Sequence, residues 1–163
     1  MGQRNSLGPR TFREPELLCW GERVGELVSP PLWVALDGPL GSGKSVLVRA
    51  ICRGAGIAGH IPSPSFTLVQ QYTSPRGFQI YHVDLFRLRP GEPIDPLGWE
   101  DLLSVPGLVL LEWARRAGDQ QPEDRWEITL DYGASPEERI VKASRVGTAA
   151  ELIRWRTQQG SRR

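Results

Sequence analysis

The chain has 163 residues, 39% hydrophobic and 24% charged, with a formal net charge of +1. These values suit one soluble globular domain with a sizeable core and exclude a chain that binds polyanions by bulk charge. Apolar runs reach about five residues, far short of the ~20 that a membrane-spanning helix needs, and Cys19 and Cys52 form neither a metal-ligand spacing nor a disulfide framework. Buried reduced thiols and a cytoplasmic setting are therefore expected.

In chain order, residues 1–13 read as a flexible, mildly basic lead. A helix is predicted from Glu14, with Pro15 in its first turn. Leu17, Trp20, Val24, Leu27 and Val28 fall at helical spacing, and Gly21 and Gly25 share that face. Ser29-Pro30-Pro31 ends it. The run Leu32 to Leu36, LWVAL, suits a central strand covered on both faces. It leads into GPLGSGKS, Gly38 to Ser45, and then into a helix with Leu47, Ala50 and Ile51 on its buried face, closed by Gly54 and Gly56.

Ile61 to Phe66, IPSPSF, has two prolines and reads as a loop. Thr67–Tyr72 and Phe78–Phe86 read as a hairpin. Alternation puts His82 and Asp84 on one face of its second strand and Tyr81, Val83 and Leu85 on the other. Asp95-Pro96 should start a short helix carrying Trp99, Leu102 and Leu103. GLVLLEW, Gly107 to Trp113, is a second buried strand that ends in an acid. Ala114 to Asp124 reads as a polar loop, followed by strands Trp126–Tyr132 and Arg139–Ser144. Thr148 and Glu151 suggest a capping box for a final helix, followed by a basic tail.

GPLGSGKS fits the P-loop template through Gly38, Gly43, Lys44 and Ser45, with Pro39, Leu40, Gly41 and Ser42 completing the loop. Glycines let such a backbone curl so that its N–H groups form an anion nest, and the following helix adds its N-terminal dipole. Lys44 can then reach β- and γ-phosphates, and the Ser45 hydroxyl can hold Mg²⁺. The chain has only two lysines, Lys44 and Lys142, and one stands where the motif requires it.

Turnover also needs an acid for the metal and a group to position water. Asp84 and Glu112 each follow a run of buried strand residues, at the strand ends where ligands of open α/β sheets lie. Ser63, Pro64 and Ser65 sit where a loop sensing the γ-phosphate would lie. Spacing alone does not separate that role from a plain turn. His82 reads as a packed strand residue, and Arg115-Arg116 as a solvated loop rather than a lid. Asn5 is the only asparagine. A guanine-reading Asn-Lys-x-Asp motif is therefore impossible, which makes ATP the default nucleotide.

Taken together, GERV, GPLGSGKS, SPSFTLVQQY, YHVDLFRL, LEW and a late LDY resemble the TsaE family. These are small bacterial P-loop ATPases of tRNA threonylcarbamoyladenosine synthesis. The resemblance implies that Ser45 and Glu112 bind Mg²⁺ and that Asp84 acts beside metal and water. It also places Trp113 in the site and makes Ser63, Pro64 and Ser65 a switch loop. It implies partners of the TsaD and TsaB type, with tRNA reached indirectly through their complex. The chain departs from the family strings at Ser45 and Ser65, which stand where Thr is commoner, at Phe86 for Tyr, at Ala114-Arg115 for Pro-Glu, and at Leu17 for an N-terminal Thr. The expectation is one α/β P-loop NTPase domain over residues 14–157, with a mixed, mostly parallel sheet, helices on both faces, and a basic tail at 158–163. Lys44, Asp84 and Glu112 would be catalytic. A small-molecule kinase and a non-hydrolysing ATP-dependent switch are the alternatives.

Overall fold

The computed structural model describes residues 5–64, 68–89, 91–94 and 98–155. Expectations at Ser65, at Asp95-Pro96 and in the basic tail lie outside these residues. One seven-stranded sheet runs through the molecule in the order β1-β7-β6-β2-β5-β4-β3. Its strands are β1 (Ser6–Arg13), β2 (Leu32–Asp37), β3 (Val69–Thr73), β4 (Gln79–Asp84), β5 (Leu108–Glu112), β6 (Arg125–Tyr132) and β7 (Glu138–Val146). The β6–β2, β2–β5 and β5–β4 pairs are parallel and form the middle of the sheet. The β1–β7, β6–β7 and β3–β4 pairs are antiparallel.

Helices α1 (Glu14–Leu27) and α2 (Lys44–Gly54) cover one face. Leu17, Trp20, Val24, Leu47 and Ile51 pack there against Val34, Leu36, Leu108 and Leu110. Gly25 permits the close contact between the two helices: a Cβ there would stand 2.0 Å from the Ile51 carbonyl oxygen. Helix α3 (Trp99–Ser104) and a 3₁₀ segment, Ala114–Gln120, lie over the other face. They enclose Trp33, Ala35, Val83, Leu85, Val109 and Leu111. β2 and β5 are buried on both sides, as strands between two helical layers must be.

Several expectations change. The lead over 1–13 is a strand from Ser6, because β7 supplies its hydrogen bonds and Phe12 packs against Trp20 and Trp155. The final helix at Thr148 does not form within the described residues. Trp126 Nε1 donates to the Ala150 carbonyl at 2.7 Å and Trp20 Nε1 to that of Ile153 at 3.0 Å, so indoles take the acceptors that a helix would use. The Thr148 amide is capped instead by Asp124 Oδ1. Finally, Cys52 is buried, with its thiol pushed up to about 12 by desolvation, but Cys19 is exposed.

Candidate active site

The loop after β2 closes around its own lysine. Gly38, Gly41 and Gly43 have φ of 151°, 76° and 102°, values that side chains with a Cβ rarely adopt. At Gly38 a Cβ would also meet the Leu130 carbonyl oxygen at 2.1 Å. Lys44 is 4% exposed. Its Nζ donates to the carbonyls of Gly38 at 2.7 Å and Pro39 at 3.0 Å, and lies 4.0 Å from the centre of the Trp113 ring. Burial lowers its pKa, and the charges of Glu112, Asp37 and Asp84 oppose that shift. Ser42 is buried in the loop, and Leu40 projects from its tip at 68% exposure.

Parallel register brings the two strand-end acids side by side, since Asp84 of β4 pairs with Glu112 of β5. Glu112 is 2% exposed. Ser45 Oγ lies 3.0 and 2.9 Å from its two carboxylate oxygens, so the first turn of α2 is tied to the end of β5. Asp84 Oδ1 accepts the Phe86 N–H at 2.9 Å. Its pKa is raised, chiefly by burial and further by Glu112, against the lowering effects of the Phe86 N–H and Lys44. A cavity of about 400 Å³ is bounded by loop residues Leu40, Gly41 and Gly43 to Ser45, by Ser63, Asp84, Glu112 and Trp113, and by Phe86 and Arg87.

Ser63 lines this cavity. The Pro64 carbonyl accepts from Leu68 N–H at 2.8 Å, and the Leu68 carbonyl accepts from Asp84 N–H at 3.0 Å, which tethers the Ser63–Pro64 loop to β4. Trp113 follows Glu112 in the left-handed region at φ 58°, a conformation that costs a non-glycine residue about 1 kcal/mol or more. That reversal turns the chain so that the ring faces Lys44 and packs on Phe86, with centroids 5.0 Å apart.

Several contributors were not legible in the sequence. Arg116 belongs to a 3₁₀ segment rather than a solvated loop. Its guanidinium donates to the carbonyls of Phe86 and, at 2.7 Å, Leu88, and it lies over the Phe86 and Trp113 rings. Tyr132 Oη donates to the Leu40 carbonyl, and Arg139 donates to that of Gly41 at 3.2 Å. Asp37, the last residue of β2, accepts the Arg115 N–H at 3.1 Å. Burial raises its pKa, partly offset by Arg115 and Lys44. LDY is the sequence signal for Tyr132, whereas Arg116 reads by sequence as part of a solvated loop.

The donors present fit a hard divalent cation. Ser45 offers a hydroxyl and Glu112 a carboxylate, oxygen ligands that lie within hydrogen-bond distance of each other. No group of three or more His, Cys, Asp or Glu side chains forms a metal cluster among the described residues. A cation held here would take its other ligands from water and phosphate, as Mg²⁺ commonly does.

Comparison with known proteins gives a consistent picture. A family profile described as "Threonylcarbamoyl adenosine biosynthesis protein TsaE" matches residues 13–141. A protein from Nostoc sp. PCC 7120 named tRNA threonylcarbamoyladenosine biosynthesis protein TsaE is 36% identical over 116 residues, covering 69% of this chain and 70% of its own. The protein of that name from Haemophilus influenzae is 32% identical over 124 residues, 73% and 78% of the two chains. The crystal structure of YdiB from Bacillus subtilis superposes with a TM-score of 0.70 at 24% identity, over 86% of this chain and 87% of that one.

Proposed function

The chain belongs to the TsaE family of threonylcarbamoyladenosine biosynthesis, and on that basis we propose that it is an Mg²⁺-dependent ATPase acting on a TsaD–TsaB complex during tRNA modification in the cytoplasm. The observation that carries the ATPase reading is the Ser45 hydroxyl directed at both oxygens of the buried Glu112 carboxylate, one residue from Lys44. A structural carboxylate at a strand end has no need of such a setting, since its desolvation costs several kcal/mol, roughly.

The N–H groups of Leu40, Gly41, Gly43, Lys44 and Ser45 would bind the phosphate chain. The Lys44 ammonium, now spent on two loop carbonyls, would turn to the β- and γ-phosphates and stabilise charge that develops during transfer. Ser45 and Glu112 would hold Mg²⁺, which when bound neutralises phosphate charge. Asp84 sits beside Glu112 with one oxygen fixed by the Phe86 amide, which leaves the other to orient water. Its raised pKa suits a group that handles a proton. Trp113 would close the site over Lys44, and Ser63, Pro64 and Ser65 would respond to the γ-phosphate. A cavity of about 550 Å³ beyond Gly41 and Gly43 has Pro15, Leu17 and Val46 in its wall and Arg13, Glu14, Glu137 and Arg139 around them, and the base would lie against its apolar part.

Reconstituted tRNA modification tests the pathway role. With TsaB, TsaD, threonylcarbamoyl-adenylate and MgATP, wild-type chain should sustain many rounds of modification per complex, and Lys44→Ala should not. Equal yields with wild type, Lys44→Ala and no added chain would refute the proposal.

A further inference from the structure

Strand β4 carries an imidazole that the roles above leave without a task. His82 is 0% exposed, two residues before Asp84, and pairs in register with Leu110 of β5. Burying an imidazole among aliphatic side chains is unfavourable unless its N–H is paired. Its Nε2 lies 2.7 Å from Glu112 Oε1, and among the described residues its Nδ1 has no hydrogen-bond partner. That asymmetry selects the tautomer. With a proton on Nε2, the ring donates to the carboxylate and Nδ1 presents only a lone pair. With the proton on Nδ1 alone, a buried donor is orphaned and two acceptors face each other.

We infer that His82 is a positioning residue for the divalent cation: Nε2–H fixes the plane of the Glu112 carboxylate so that its oxygens stay turned toward Ser45. A carboxylate's terminal torsion is broad and roughly two-fold. Ser45 Oγ reaches both oxygens at nearly equal distance, so that contact alone discriminates poorly between rotations. The bond from His82 reaches Oε1 only and removes the ambiguity. Glu112 then meets the cation already oriented, and less ordering is lost on binding. Partners of this kind, one bond behind a metal ligand, typically govern metal affinity by about 10- to 100-fold. The inference rests on the reading that Ser45 and Glu112 hold Mg²⁺.

Calorimetric titration of the full chain with ADP, in Mg²⁺ and in EDTA, separates this role from simple core packing. The ratio of the two affinities is the Mg²⁺ gain. His82→Leu should reduce that gain by about tenfold or more, while the affinity in EDTA stays near wild type. His82→Gln places an amide N–H where Nε2 stands and should keep the gain within about threefold. His82→Asn is too short to reach Oε1 and should behave like His82→Leu. The Gln and Asn variants carry the test even if His82→Leu fails to fold, which its thermal melting without ligand would reveal. A gain unchanged in Asn and Leu, or lost equally in Gln and Asn, overturns the inference while leaving the metal reading intact. No Mg²⁺ gain in the wild-type chain overturns both.

Discussion

The P-loop is held on two sides by contacts of opposite character. On the side proposed to hold the cation, Ser45, Glu112 and His82 form a hydrogen-bonded group in which His82 and Glu112 are 0% and 2% exposed, built on the parallel middle of the sheet. On the tip side, Tyr132 and Arg139 hold the Leu40 and Gly41 carbonyls from the antiparallel flank. Tyr132 there is 51% exposed. Hydrogen bonds are stronger in a low-dielectric interior and costlier to leave half-made, whereas exposed ones exchange readily with water. The loop therefore has a fixed end at Ser45 and a yielding end at Leu40 and Gly41.

Substitutions on the two sides sharpen this contrast. Glu112→Ala should have the largest effect, because it orphans Ser45 Oγ and a fully buried His82 N–H. Denaturant melts should show a loss of about 1–3 kcal/mol, and Mg²⁺ should no longer tighten ADP binding. Tyr132→Phe and Arg139→Ala should each cost about 1 kcal/mol or less, with ADP affinity changed by no more than about fivefold. If either matched Glu112→Ala, the tip would be as rigid as the Ser45 side.

Asp37 gives the smallest effect, and a sign that can be checked. Its folded pKa is raised above 3.8 by burial, so the native state binds more protons than the unfolded chain across that window. The stability it contributes is full below the unfolded value and is lost as pH rises through the folded one. Asp37→Asn keeps the acceptor for Arg115 N–H and removes the titration. Melting temperatures should therefore show the variant slightly more stable than wild type at pH 7.5, with the gap closing toward pH 4. A gap that widens on acidification would mean that Asp37 is favoured as a carboxylate.

The same division governs what could be read from the sequence. LWVAL and GLVLLE, being buried on both faces, appear as unbroken apolar runs, and the acid that ends the second falls beside the loop. β1, SLGPRTFR, has no such run. Its strand form comes from β7 and from burial of Phe12 alone, neither of which is local. The segment after Thr148 fails as a helix because Trp20 and Trp126, distant in sequence, claim its carbonyls. Gly38, Lys44 and Ser45 were legible from motif spacing and Asp84 and Glu112 from strand ends, whereas Trp113 was legible only through the family resemblance. The His82–Glu112 contact and the Arg116, Tyr132 and Arg139 contacts depend on strand register and side-chain reach, and no spacing rule encodes those.

If this site hydrolyses ATP as proposed, phosphate release from MgATP, measured with and without TsaB and TsaD and with Lys44→Ala as the blank, should be slow with the chain alone, faster with the partners, and lower by about 100-fold or more in the variant. Release unchanged in Lys44→Ala, or none under either condition while ATP remains bound, would contradict the proposal.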